Sequence, residues 1–146
     1  MTPVGIIANP TDGKDIRRVI AHASVFDNNE KVNILRRILV ELDAAGVRDI
    51  LIMPDAFGVG TRALARLELE SRAMLIEMPI TSTARNSTRA AELLRAAGAG
   101  CIITLGGDGT NRAVALACGE VPLLPISTGT NNVYPQMISG HQDHPA

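Results

Sequence analysis

The sequence predicts an α/β fold: a Rossmann-like open parallel sheet of about five strands with helices on both faces. Three observations carry this. Short β-branched apolar runs alternate along the whole chain with segments of helical periodicity. Glycine punctuates the helix ends at Gly46, Gly98 and Gly119. No internal repeat interrupts the order, and a regular βα alternation folds into a parallel sheet with right-handed crossovers.

Taken in order, Pro3–Ala8 is the first strand, and the turn Asn9-Pro10-Thr11-Asp12-Gly13-Lys14 follows it. Asp15–Ser24 reads as a helix, with Ile16, Val19, Ile20 and Ala23 on one face. Phe26–Glu30 is polar and turn-like. Lys31–Ala45 is the clearest amphipathic helix, its stripe formed by Val32, Leu35, Ile38, Leu39, Leu42 and Ala45, with Arg36-Arg37 on the solvent side. Asp49–Met53 is the second strand. Thr61–Leu69 is a helix, Ala73–Met78 a strand, and Thr88–Ala97 a helix that Asn86 or Ser87 can cap. Cys101–Leu105 and Val121–Ile126 complete the strands, separated by a helix through Val114 and Ala117.

Composition narrows the function. The 146 residues suit one domain, and the formal net charge of −1 offers no basic field to a nucleic acid. Aromatic residues make up only 2% and Trp is absent, which argues against a base-stacking surface. No apolar run approaches the roughly 20 residues that span a bilayer, and no charged-then-apolar leader opens the chain. Cys101 and Cys118, both in apolar contexts, read as reduced core thiols. Together these predict a cytoplasmic domain.

The chemistry concentrates between Cys101 and Tyr134. Two successive strands end in turns of small residues, Gly106-Gly107-Asp108-Gly109-Thr110 and Ser127-Thr128-Gly129-Thr130-Asn131-Asn132. In an open parallel sheet such turns lie at the carboxyl edge, where ligands bind. Glycines leave backbone N–H groups uncovered, and the following helix adds its own free amides and the positive end of its dipole. A polyphosphate fits that environment. Asp108 is then the odd residue, since a carboxylate repels phosphate; it makes sense as a metal holder or as the acceptor of a proton from an attacking hydroxyl. The plainer reading, Asp108 as a helix cap, leaves the flanking glycines unexplained.

Elsewhere, Gly58-Val59-Gly60-Thr61-Arg62-Ala63 fits a GxGxxA dinucleotide pattern, and Glu77 stands about where a ribose-binding acid would. Pro54–Phe57 intervene, however, whereas the first glycine of that fingerprint follows its strand almost directly. The segment therefore reads as a loop into a helix, with Asp55 at the carboxyl edge. His141 and His144 sit on a polar terminus and are not taken as a metal site.

The Gly-Gly-Asp-Gly-Thr turn after a hydrophobic strand resembles the signature shared by NAD kinases, diacylglycerol-type lipid kinases and, more distantly, phosphofructokinases. With Leu124–Val133 added, the pattern is most similar to the ATP-NAD kinase-like family, in the branch that includes the acetoin-catabolism X proteins. The resemblance runs from Val4 almost to the end of the chain. It implies the fold of an NAD kinase N-terminal domain, ATP with Mg²⁺, and phosphoryl transfer to a hydroxyl, NAD among the candidate acceptors. It also implies roles: Asp108 as base or Mg²⁺ partner; Gly106, Gly107, Gly109 and Thr110 around phosphate; Thr128, Gly129, Thr130 and Asn131 beside them. Asn9, Gly13 and Lys14 match the Asn-Pro-x-x-Gly-Lys loop of the lipid-kinase relatives, although an ordinary turn explains them too. The relatives' Gly-Thr-x-Asn-Asp ends in an acid, and Asn132 replaces it here, which weakens the lipid-kinase alternative. A non-catalytic nucleotide-binding module stands as the other reading.

On this basis residues 1–135 are expected to form the phosphate-binding domain. Residues 136–146 are expected to be a polar tail, disordered or leading into a missing second domain. NAD kinases continue into such a domain, so a homo-oligomer or a further C-terminal domain is expected to cover exposed apolar faces.

Overall fold

The computed structural model describes residues 2–10, 18–81 and 83–126. The elements are β1 (Val4–Ala8), α1 (Arg18–Ala44), β2 (Asp49–Ile52), α2 (Val59–Leu64), β3 (Arg72–Leu75), α3 (Thr83–Ala96), β4 (Cys101–Leu105), α4 (Asp108–Ala117) and β5 (Leu123–Ile126). All five strands are parallel, in the order β3-β2-β1-β4-β5.

That order reverses between β1 and β4. The chain leaves β1 towards β2 and β3, then returns to place β4 on the other side. At such a switch point the connections diverge and leave a crevice beyond the strand ends. The register Ala8↔Leu105 sets the ends of β1 and β4 side by side. Leu105↔Ile126 aligns the end of β5 with them. The sequence-based expectation of a central first strand beside the Gly106 turn is therefore the observed arrangement.

Strand alternation divides the core into two layers. Ile6, Ile50, Ile52, Ile103 and Leu105 pack with Leu35 and Leu39 of α1 and Val59 and Ala63 of α2. Ile7 and Ile102 face the other way, onto Ala90, Ala91 and Leu94 of α3 and Val114 of α4. Gly5 lets α3 approach closely: a Cβ there would stand 2.7 Å from Leu94 Cδ1. Gly46 (φ +91°) and Gly98 (φ +84°) adopt the left-handed conformation that ends α1 and α3. Cys118 is buried and Cys101 half-buried, both as free thiols.

Several expectations need correction. The two helices predicted over 15–24 and 31–45 are one, Arg18–Ala44, and the polar stretch Phe26–Glu30 lies inside it. That stretch contains neither Gly nor Pro. Asn28 is buried, and Asp27 pairs with Lys31 one turn on at 3.4 Å, so burial and a local i,i+4 pair together outweigh the weak helix propensity of the stretch. Arg36, expected in solvent, donates to the carbonyls of Arg62 and Ala65 at 2.9 Å each and satisfies the end of α2. The helix after β2 begins earlier and is shorter than predicted. The helix before β4 begins at Thr83 rather than Thr88, and Asn86 reaches back from inside it to accept the Thr81 N–H at 2.7 Å. Among the described residues no helix is long and apolar enough to cross a membrane.

Candidate functional site

At the switch point lies an open crevice of about 360 Å³, lined by Asn9, Pro10, Lys31, Ala84, Gly106, Gly107, Gly109 and Thr110. Each wall follows from the fold. Asn9 is the first residue past β1, and its N–H still pairs with the Leu105 carbonyl at 3.1 Å. Its side-chain amide donates to Thr110 Oγ at 3.0 Å, joining the end of β1 to the first turn of α4. Because Thr110 accepts that proton, its own hydroxyl hydrogen is free to be donated elsewhere. Asn9 Oδ1 is buried and, among the described residues, meets no donor. A buried carbonyl oxygen left so is a defect worth about 1–3 kcal/mol, and sites of ligand binding are where such defects occur.

The three glycines of the turn differ in purpose. A Cβ at Gly106 would lie 2.7 Å from Thr110 Oγ, so glycine there lets Thr110 tuck under the strand end. Cβ atoms at Gly107 and Gly109 would meet nothing within 4 Å. Gly107 has φ −103° and Gly109 is helical, conformations open to other residues. Among the described residues, packing and backbone geometry give no reason for glycine at either position; both line the crevice.

Gly107 is the N-cap of α4 and supplies no side-chain partner to the helix amides. An α-helix leaves its first N–H groups without intrahelical acceptors, so these point outward, with the helix dipole, at whatever anion enters. Asp108 is the first residue of α4 and is exposed between the two lining glycines. Behind the turn, the Thr104 hydroxyl donates to Asn111 Oδ1 at 2.5 Å and fixes α4 on β4.

The GxGxxA segment offers a contrast. At the start of α2 the Asp55 carboxylate accepts the N–H of Gly58 at 2.8 Å and of Val59 at 3.0 Å. A side chain of the protein thus occupies the place a pyrophosphate would take, which argues against a dinucleotide fingerprint here, although Val59–Ala63 lie in α2 rather than in the expected loop. Burial pushes the Asp55 carboxyl above its ordinary value, and the amide hydrogen bonds oppose that rise. Of two glycine-bearing helix starts at the carboxyl edge, one is sealed internally and the other is open.

The structure thus brings Asn9, Gly106, Gly107, Asp108, Gly109 and Thr110 together. Gly13, Lys14, Thr128, Gly129, Thr130 and Asn131 lie outside the described residues, as does 136–146. Sequence reasoning missed Lys31, whose ammonium donates to the Asn9 carbonyl at 2.8 Å. The signal was present: Lys31 stands four residues before Leu35 and eight before Leu39, on the buried stripe. Among the described residues no group of three or more His, Cys, Asp or Glu could hold a metal. An ion here would rest on a single carboxylate and on ligand oxygens, a mode that Mg²⁺ accepts.

Comparison with known proteins agrees with this geometry. The family described as the ATP-NAD kinase N-terminal domain matches residues 4–144. Acetoin catabolism protein X of Cupriavidus necator is 45% identical over 141 residues, covering 92% of this chain. The chain spans 39% of that relative's length. No solved structure matches. The chain belongs to the ATP-NAD kinase family, as a kinase-like nucleotide-binding N-terminal domain.

Proposed function

We propose that the crevice binds the phosphate chain of ATP, and that the domain serves phosphoryl transfer from ATP to a hydroxyl, the NAD 2′-hydroxyl or that of a related small molecule. The observation that carries this is the open start of α4: uncapped amides flanked by Gly107 and Gly109, glycines with no packing role. Backbone N–H groups and the Thr110 hydroxyl would hold phosphate oxygens, with Asn9 directing that hydroxyl.

Asp108 has the exposure and position to accept the proton of the incoming hydroxyl as its oxygen bonds to the γ-phosphorus and ADP departs. Mg²⁺, held by Asp108 and the nucleotide, would supply charge neutralisation for the phosphoryl group. Residues 1–135 form the phosphate-binding unit in this reading, and the hydroxyl substrate is gripped by a further domain or a second copy. Exposed Met74 and Leu75 on the edge strand β3, and Leu124 on β5, offer apolar surface for either.

The test is a thermal-shift titration with ATP·Mg²⁺ and NAD⁺, followed by phosphoryl-transfer assays on wild type and Asp108→Asn. Saturable stabilisation by ATP·Mg²⁺, with transfer lost only in Asp108→Asn, supports the reading. Absence of any nucleotide-dependent shift contradicts it. Binding without transfer in either protein would make the domain a non-catalytic nucleotide module.

A further inference from the structure

Lys31 is one of only two lysines in the chain, against twelve arginines. The other, Lys14, lies outside the described residues. Among the described residues every other Lys or Arg position is an arginine, so a lysine on the buried side of α1 calls for a reason. Its side chain is 5% exposed. Burying an ammonium is unfavourable even when paired, and an aliphatic residue would continue the Val32, Leu35, Leu39 stripe at no such penalty. The stripe turns polar at Asn28 and Lys31, which are both buried, where α1 passes the carboxyl edge of the sheet. Packing against the Val32, Leu35 and Leu39 stripe does not account for the change.

The position does. Lys31 is the one charged side chain among the described residues that line the crevice. Its ammonium is held by the Asn9 carbonyl at 2.8 Å and by Asp27 at 3.4 Å. The Asn9 carbonyl belongs to the same residue whose side chain orients Thr110. The crevice residues opposite it are glycines and a hydroxyl, which present donors, while the carboxylates that act on the ammonium are those of Asp27 and Asp55.

We propose that Lys31 is the phosphate-charge residue of this crevice: its ammonium supplies the positive charge that selects a polyanionic ligand over a neutral one. This deepens the reading of the crevice as a phosphate site and rests on it. The partners seen here keep the ammonium in place, and an entering polyphosphate brings it a stronger one. Lysine suits this better than arginine, because a compact point charge on a flexible stem can follow a phosphate without the fixed planar fork.

The test is isothermal titration of wild type, Lys31→Gln and Lys31→Arg with ATP·Mg²⁺, inorganic tripolyphosphate and adenosine, at low and high salt. Lys31→Gln should weaken ATP and tripolyphosphate binding by about tenfold or more, as expected for a lost charge-assisted contact, and leave adenosine unaffected. It should also flatten the salt dependence, with Lys31→Arg recovering most of both effects. Wild-type protein provides a readout independent of any substitution. An ATP acyl phosphate transfers its acyl group to a lysine amine beside the phosphates, releasing ATP, and mass spectrometry distinguishes Lys31 from Lys14. Acylation of Lys31 that excess ATP suppresses is the expected result. Undiminished ATP affinity in a folded Lys31→Gln, or acylation of Lys14 alone, overturns this assignment and leaves the phosphate site standing. Wild type that binds neither ATP nor tripolyphosphate overturns both.

Discussion

The side-chain amide of Asn9 donates to the hydroxyl of Thr110 at 3.0 Å, across 101 residues of sequence. This bond crosses the switch point of the sheet and ties the end of β1 to the first turn of α4. It also decides which way the Thr110 proton points, because an oxygen that accepts from one side is left to donate on another. Gly106 makes the approach possible by offering no Cβ to Thr110. A double-mutant cycle with Asn9→Ala and Thr110→Val should therefore show coupling of about 0.5–1.5 kcal/mol in urea denaturation. Additive effects would mean that the two side chains do not support each other.

The glycines of the turn should separate into two classes. Gly106→Ala places a methyl 2.7 Å from Thr110 Oγ and should destabilise the fold by about 1–3 kcal/mol, the usual range for overpacking. Gly109→Ala meets nothing within 4 Å and gains helix propensity, so its melting temperature should hold or rise. Differential scanning calorimetry of the two variants checks this directly.

Asp55 seals α2 by accepting the N–H groups of Gly58 and Val59. Asp55→Ala should cost about 1–2 kcal/mol in chemical denaturation at neutral pH, the range seen when a helix cap is lost. Asp55→Asn keeps an acceptor and sheds a buried charge, so it should lose less. Equal losses in both would show that the carboxylate's charge, rather than the capping bond, is what matters.

Acid sensitivity should be traceable in part to Asp43. Its Oδ1 accepts both the N–H and the hydroxyl of Ser71, each at 2.7 Å. The Ser71 hydroxyl, then its amide, hold the Asp43 carboxyl below the ordinary aspartate value. A carboxylate whose value is lowered by folding contributes stability above its unfolded value, and loses it as pH falls through the folded one. The difference in melting temperature between wild type and Asp43→Asn should thus be widest near neutrality and close below about pH 4. A gap that stays constant down to strong acid would place the effect outside this carboxylate.

What was legible in the sequence, and what was not, divides by the range of the interactions. Cys101–Leu105 is the strand its β-branched run predicts, residue for residue, because a buried parallel strand needs only local apolar character. Gly46 and Gly98 end their helices for a reason contained in one residue. The juxtaposition of Asn9 with the Gly106 turn followed from the alternation of elements, since βα order fixes handedness and leaves few topologies. The continuity of α1 through Phe26–Glu30 was not legible. It depends on what Asn28 and Lys31 meet on the sheet side; the local signals, Lys31 in register with Leu35 and Leu39 and Asp27 four residues before it, are weak beside the polar run Asp27–Glu30. Arg36 escaped for the same reason: its acceptors at Arg62 and Ala65 are 26 and 29 residues away. Asp55 was placed at the carboxyl edge, but its capping of α2 required the actual path of Pro54–Phe57.

In the proposed reading, the start of α4 stays open to receive a chain of phosphates. Calorimetric titration of wild type and Gly109→Ala with ATP·Mg²⁺ tests it most directly, because this substitution adds one methyl to the crevice and leaves the fold intact. Wild type should bind saturably, and the variant should lose about tenfold or more in affinity, the scale of a displaced charge-assisted hydrogen bond, at an unchanged or higher Tm. Equal affinity in the two proteins would contradict it.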